Sequence, residues 1–574
     1  MTVASADAPR ASSAAGQVGT ESAGASFVPG RLEFVLLGFA LVGTALLIGV
    51  DGLETGDRFY LPKRLVLGAV AALLSLRWLV SPQEPPGMDR SLVAWGGALG
   101  VSFAAVVLGN SSLVPGFERL ASDASAWVIA LSAVRLARQE RGRSALVSLL
   151  TWAAVLVALV ALLEALGLAL PWGEIRRPAS TLGGRNQVAG FVALILPLVV
   201  ARFSRDGGRV WGVSAVILGT VVVLTRCRSV WLGLGIAALM VGVGLLRAPV
   251  STDLRTRVLR VMLVCGVSVG LAVLIPWPGL QWKESRPFAD SVSRLVEYDQ
   301  GSGRYRIEQA QVSWAIVASS PLLGVGLTGW GDASSLYAHS AGLHPHPYGD
   351  GRAPRSDLLR VLVETGLLGF AALMGWAWML ARRVRAEGAV VPGLGAAFIV
   401  LATHALFDQP LLRAEQLAAM GVLVGLVLAG ARTLAIPMAG RRIVLAGLML
   451  LVMGGTGALG RYYWIAVKGP ARALVSTGHV EALARAALRM TRGRDCEAAA
   501  PLLDRAVSDA PHLIGLLCLS AKCAEARGDL ASAREFALRA DSVEPHLASR
   551  LQSATTHDCS TVLRLLESEK ALSP

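Results

Sequence analysis

Charge is scarce in this sequence. Only 16% of its 574 residues are Asp, Glu, Lys or Arg, against about 25% in a soluble globular protein. Beside 54% hydrophobic residues and a mean hydropathy of +0.56, that deficit excludes a chain disordered throughout, because disorder needs low hydrophobicity and high net charge. Cysteine is scarce too: six residues cannot frame a small disulfide fold. The 62 glycines follow no three-residue period, which excludes a collagen-like chain, and membrane helices tolerate glycine better than soluble ones. No basic-then-apolar leader with a small-residue cleavage site precedes the first apolar stretch. Residues 1–31, mostly Ala, Ser and Gly, cannot bury enough surface to fold and read as a disordered cytoplasmic tail.

What the sequence has is a succession of apolar runs long enough to cross a hydrocarbon core of about 30 Å. They fall near 33–50, 64–80, 91–109, 123–138, 145–170, 187–203, 210–225, 229–246, 258–276, 357–381, 389–407, 415–434 and 443–460. The fold class is therefore all-α: a polytopic bundle of about 12–13 spans over residues 32–460. The fourth run is the weakest, since Asp123 and Arg135 sit near its ends. Basic residues gather in alternate connections, at 135–143, 202–209, 247–260, 381–385 and 441–442. The positive-inside rule makes these cytoplasmic, with the amino terminus inside. The net charge of +14 is thus mainly a topology signal, and no nucleic-acid partner is expected.

This topology puts segment 277–356 on the outer face as a large periplasmic loop. Connections are usually about 4–6 residues, and one this long is usually functional. Its seven basic and seven acidic residues do not make a patch of one sign. Beyond Arg461 the composition becomes that of a soluble helical domain, residues 461–574. Pro511 and Pro545 are 34 residues apart, as are Ala487 and Ala521, Ala499 and Ala533, and Ala506 and Ala540. Small residues at fixed points let paired helices pack closely. The pattern resembles two tetratricopeptide repeats over roughly 478–547, without the usual aromatic positions, and gives a surface for a possible protein partner. A plain Ala-rich helical hairpin is the alternative. Thirteen spans put this tail in the periplasm and twelve in the cytoplasm. Cys496, Cys518, Cys523 and Cys559 lie in it, either as disulfides or as buried thiols, and their spacing fits no metal site.

On an outer face otherwise poor in arginine, Arg185 lies in GGRNQVAG, Arg226 and Arg228 in TRCRSVWLG, and Arg304 and Arg306 in the long loop. A guanidinium presents fixed donors that suit phosphate oxygens. A charge near the membrane is costly unless it snorkels, pairs or binds something. These arginines could simply pair with acids such as Glu297 and Glu308. Their company argues otherwise. GGRNQVAG, TRCRSVWLG, PLLGVG at 321–326 and RSDLLRVLVETGLLGF at 355–370 occur in that order and resemble the O-antigen ligase and polymerase superfamily of bacterial inner-membrane proteins. The resemblance covers roughly 180–430.

The resemblance implies a GT-C-like membrane glycosyltransferase that takes a glycan from undecaprenyl pyrophosphate at the periplasmic face. The acceptor is a hydroxyl of lipid A core, of a growing lipid-linked chain, or of a protein. No cofactor, metal or nucleotide sugar is implied. By position, Asn186 and Arg228 match the family's Asn and Arg, Arg304 matches the Arg that opens the helix before PLLGVG, and Glu364 and Gly366 match its Glu-x-Gly, taken as structural. Arg228 and Arg304 are expected at the catalytic centre, with Arg185, Asn186, Arg226, Arg306 and Arg355 binding pyrophosphate. Ligases commonly carry a His about nine residues before the Glu; here that position is Arg355. His346, held between Pro345 and Pro347 and near His339 and His344, is the expected base. Asp357, in the first turn of span ten, competes with it. Losing the matching His weakens the ligase reading and strengthens the polymerase reading. Glu164, His404 and Asp408 have bland explanations near span ends. A transporter or flippase is the remaining alternative, although no repeated halves are seen.

Overall fold

The computed structural model describes residues 30–49, 58–81, 87–109, 112–171, 178–246, 252–280, 282, 286–293, 301–338, 343, 353–387, 391 and 393–543. His339, His344, His346 and Cys559, and the tail before residue 30, lie outside them. Among the described residues there is no strand.

Each of the thirteen apolar runs is a helix. They are α1 (Arg31–Leu46), α2 (Leu61–Val80), α3 (Arg90–Leu108), α4 (Leu113–Ala137), α5 (Glu140–Ala165), α6 (Arg185–Asp206), α7 (Arg209–Thr225), α8 (Arg228–Leu246) and α9 (Thr252–Leu274). In the long loop come α10 (Pro287–Ser293), α11 (Gly301–Ser319) and α12 (Trp330–Ala338). Then follow α13 (Asp357–Glu387), α14 (Leu394–Phe407), α15 (Ala414–Leu428) and α16 (Met438–Lys468). Seven of these helices are long and apolar enough to cross a membrane on length and composition alone. The protein is a multi-pass membrane protein.

The fourth run is where the sequence misjudges most. Its helix, α4, begins ten residues earlier than expected and lies at the centre of the bundle. Its charges are matched: Arg119 bonds Asp123 at 3.0 Å, and Arg135 reaches Glu33 at 3.3 Å. Glycines let α15 and α16 press against it. A Cβ on Gly425 would collide with Ala133, and one on Gly455 with Ala121, which is the use of small residues where helix backbones approach in a membrane.

Helix ends sort into two sets. The ends of α1, α5, α7 and α14 meet the starts of α2, α4, α6, α8 and α13. Lys63 and Thr181 both donate to the Ala45 carbonyl, at 3.1 and 2.6 Å, and Arg64 bonds Ser122 at 2.8 Å. At the opposite end Glu33 gathers Arg77 and Arg135, and Arg260 reaches the Ser204 carbonyl at 2.9 Å. The thirteen helices thus alternate in direction, and both the long loop and the tail emerge at the first end.

The tail builds α17 (Val480–Arg492), α18 (Cys496–Asp509), α19 (Ile514–Ala526) and α20 (Leu530–Val543). The boundaries of α17 and α18 recur in α19 and α20 at 34 residues, and all six alanines of the spacing are fully buried. Cys496 and Cys523 form a disulfide, and Cys518 is disulfide-bonded as well. The tail shares a core with the membrane helices, since Leu61, Leu459, Tyr462 and Ile465 pack with Leu474, Leu483 and Leu503. Two further contacts fix its side. His479 stacks on Tyr462 with ring centroids 3.6 Å apart and bonds Glu118 at 2.9 Å. His512 bonds Asp332, on the long loop, at 2.9 Å.

Candidate functional site

The loop and span ten are joined by a backbone clasp that explains two of the sequence motifs. In PLLGVG, the amides of Val325 and Gly326 donate to the carbonyls of Val363 and Glu364, at 3.0 and 3.1 Å. In return, the amides of Leu367 and Leu368 donate to Pro321 and Leu322 at 2.8 and 3.2 Å. Such exchange requires α13 to open. It does so at Gly366, with φ 64° and ψ −166°, a conformation reserved for glycine. A Cβ there would run into the Leu322 carbonyl. Glu364 seals the clasp, accepting from the Thr328 amide at 3.1 Å.

One turn earlier, Arg360 lies between two carboxylates of its own helix. It bonds Asp357 at 3.0 Å and Glu364 at 3.0 Å, with the three side chains 4, 1 and 3% exposed. The i, i+3 and i, i+4 spacing places all three on one face. Removing one partner from such a buried group leaves an uncompensated charge and costs about 3–5 kcal/mol. Asp357 is further committed: its second oxygen accepts from the Leu411 amide at 2.7 Å. Both of its oxygens therefore hold structure, which weighs against Asp357 as the competing base.

The arginines separate sharply. On α11, Arg304 has a side chain 69% exposed and pairs with Glu308 at 2.9 Å. Arg306, two residues on, turns inward and donates to the Phe407 carbonyl at 3.0 Å. Burial lowers the Arg306 pKa, Asp408 opposes that effect, and Arg228 and Arg355 add to it. Asp408, Arg228 and Arg355 thus all lie within electrostatic reach of Arg306. Arg355 is exposed, and its amide bonds the buried Gln309 of α11 at 2.8 Å. Arg226, in the left-handed region at φ 52°, turns to the 282–291 segment, bonding Ser291 at 2.7 Å and lying 6.0 Å from the Trp282 ring. Arg185 lies within electrostatic reach of the buried Cys227, as does Asp408.

Asp408 is the centre of this group. Asn186, at the start of α6, donates to it at 2.8 Å, and the Gln409 amide donates to its other oxygen at 2.9 Å. Burial raises its pKa, but His404, the Gln409 amide, Asn186 and Arg355 outweigh burial and hold the carboxyl below its ordinary range. His404 in turn bonds Ser229, beside Arg228, at 2.9 Å. The structure thus brings Asn186, Arg228, Arg306 and Arg355 to one place, keeps Arg185 nearby, and leaves Arg304 and Arg226 on other partners. Asp408 and His404 were underweighted by the sequence. Their signal was the polar break THALFDQP at the end of an apolar run. Among the described residues, no group of three or more His, Cys, Asp and Glu side chains could hold a metal ion.

Arginines and an amide gathered near a buried carboxylate, at the loop-bearing end of a membrane bundle, can hold an anion with several oxygens and stabilise charge growing on it. Residues 213–374 match a family model described as O-Antigen ligase. The matched segment runs from α7 into α13, including TRCRSVWLG, α11, PLLGVG and the Glu-x-Gly. No curated protein matches the chain.

Proposed function

We propose that this chain, whose residues 213–374 match an O-antigen ligase family model, transfers a glycan from undecaprenyl pyrophosphate to an acceptor hydroxyl at the periplasmic face of a bacterial inner membrane. That match supports a role in surface polysaccharide biosynthesis, as a ligase or polymerase of glycosyltransferase type. The observation that carries the finer reading is the 404–409 corner, where Asp408 holds Asn186, Phe407 receives Arg306, and His404 and Gln409 bond the neighbours of Arg228 and Arg355.

The acceptor oxygen attacks the anomeric carbon. The bond from that carbon to the pyrophosphate oxygen breaks, and the leaving pyrophosphate keeps the electron pair. Arg228, Arg306 and Arg355 meet that growing charge, each such donor being worth about 10²–10³-fold. The hydroxyl proton passes to a base, worth roughly 10²–10⁴-fold, and His346 is our candidate. We assign Asp357, with both oxygens engaged, to holding the 408–411 corner.

The basic connections at the far end of the bundle support the orientation through the positive-inside rule. The disulfide Cys496–Cys523 supports a tail in an oxidising compartment. We read that tail as two tetratricopeptide-like repeats, carrying a surface for a protein partner.

The test is transfer by purified protein in proteoliposomes, supplied with a polyprenyl-pyrophosphate glycan and an acceptor. Arg228→Ala should lower turnover by about 10²-fold or more while inserting normally. Wild-type protein without transfer, or an Arg228→Ala protein as fast as wild type, would overturn the reading.

A further inference from the structure

The cluster contains one anion that the transfer reaction itself does not use. Asp408 is 7% exposed, and both carboxylate oxygens are taken, by Asn186 and by the Gln409 amide. Each oxygen thus already accepts a structural hydrogen bond, and its depressed pKa makes it a poor proton acceptor.

The corner it sits on ties every element that brings a cation to the site. The Phe407 carbonyl receives Arg306 of α11 at 3.0 Å. The Asp408 carbonyl receives the Asp357 amide of α13 at 3.1 Å. The Gln409 side chain donates to the carbonyls of Ala353 and Pro354, just before Arg355. His404 bonds Ser229 of α8, next to Arg228, and the Leu411 carbonyl receives Arg119 of α4 at 2.7 Å. Within this corner, Asp408 supplies the fixed negative charge. Three guanidinium groups brought together without a counter-charge repel one another and splay apart.

We propose that Asp408 is a positioning residue for glycan transfer: a fixed counter-anion that holds Asn186 directly and keeps Arg306, Arg228 and Arg355 at the spacing a pyrophosphate requires. The proposal rests on the transferase reading above. Asp408 acts through the arginines and need not touch the glycan. Its effect is on geometry, where a displacement of about 1 Å can cost about 10²-fold in rate.

The experiment uses full-length protein in proteoliposomes with a polyprenyl-pyrophosphate glycan, comparing wild type, Asp408→Asn, Arg306→Gln and the double variant. Asp408→Asn keeps the shape and removes the charge. It should lower turnover by about 10²-fold. The double variant should be no slower than the slower single variant, because residues that act as a unit are not additive. Equal turnover of Asp408→Asn and wild type would overturn the proposal, and so would multiplying losses in the double variant. Absence of transfer by wild type would instead overturn the transferase reading, which separates the two failures. Should Asp408→Asn fail to insert, Asn186→Ala removes the amide that Asp408 fixes and leaves the carboxylate. It should show the same non-additivity with Arg306→Gln, and additivity there would also overturn the proposal.

Discussion

At the scale of single residues, position along a helix decides which charges matter. Arg304 and Arg306 are two residues apart, and on an α-helix that spacing points them in nearly opposite directions. Composition and motif could say that this stretch carries arginine; they could not say which one faces the bundle. The family position favoured Arg304, yet its guanidinium is exposed and paired with Glu308, whereas Arg306 joins Arg228, Arg355 and Asp408. An exposed pair of this kind is worth at most about 1 kcal/mol. Arg304→Gln should therefore slow transfer by less than about tenfold, and Arg306→Gln by about 10²–10³-fold. Turnover of the two variants at matched membrane levels checks the contrast, and the reverse ranking would return Arg304 to the centre. The bland sequence reading of Asp408 has a related cause. Its partner Asn186 is 222 residues away in the chain, and a lone Asp after an apolar run looks like any polar residue ending a helix.

At the scale of elements, much more could be read in advance. All thirteen helices were visible as apolar runs, because a segment buried in lipid must satisfy its own backbone and be apolar over its length. The exception is instructive. The start of α4 was placed ten residues late because Glu118, Arg119 and Asp123 look like loop. Each is matched by a partner inside the protein: Glu118 by His479, and Arg119 by Asp123 and the Leu411 carbonyl. Hydropathy counts a paired charge as if it were solvated. The PLLGVG and Glu-x-Gly motifs were visible as separate strings, but only the fold shows them as two halves of one clasp. That clasp depends on Gly366 in the left-handed region. Gly366→Ala brings a Cβ against the Leu322 carbonyl and forces a backbone state costing roughly 1–3 kcal/mol. It should lower the thermal unfolding midpoint in detergent and reduce transfer. A variant as stable and active as wild type would show that the opening of α13 is not required.

At the scale of the whole molecule, the alternation of thirteen helices puts loop, tail and arginine cluster at one end. The tail is not a loosely tethered appendage. Its core is continuous with the ends of α2 and α16, and it grips the loop through His512 and Asp332. This arrangement puts the candidate site at one end of the bundle and the arginine-rich connections at the other. Deletion of the protein from its cell, followed by analysis of the lipid-linked glycans, tests this most directly. Glycan transfer predicts accumulation on undecaprenyl pyrophosphate, as a single repeat unit if the protein is a polymerase and as long stranded chains if it is a ligase. Lipid-linked and surface glycans unchanged in length and amount would contradict it.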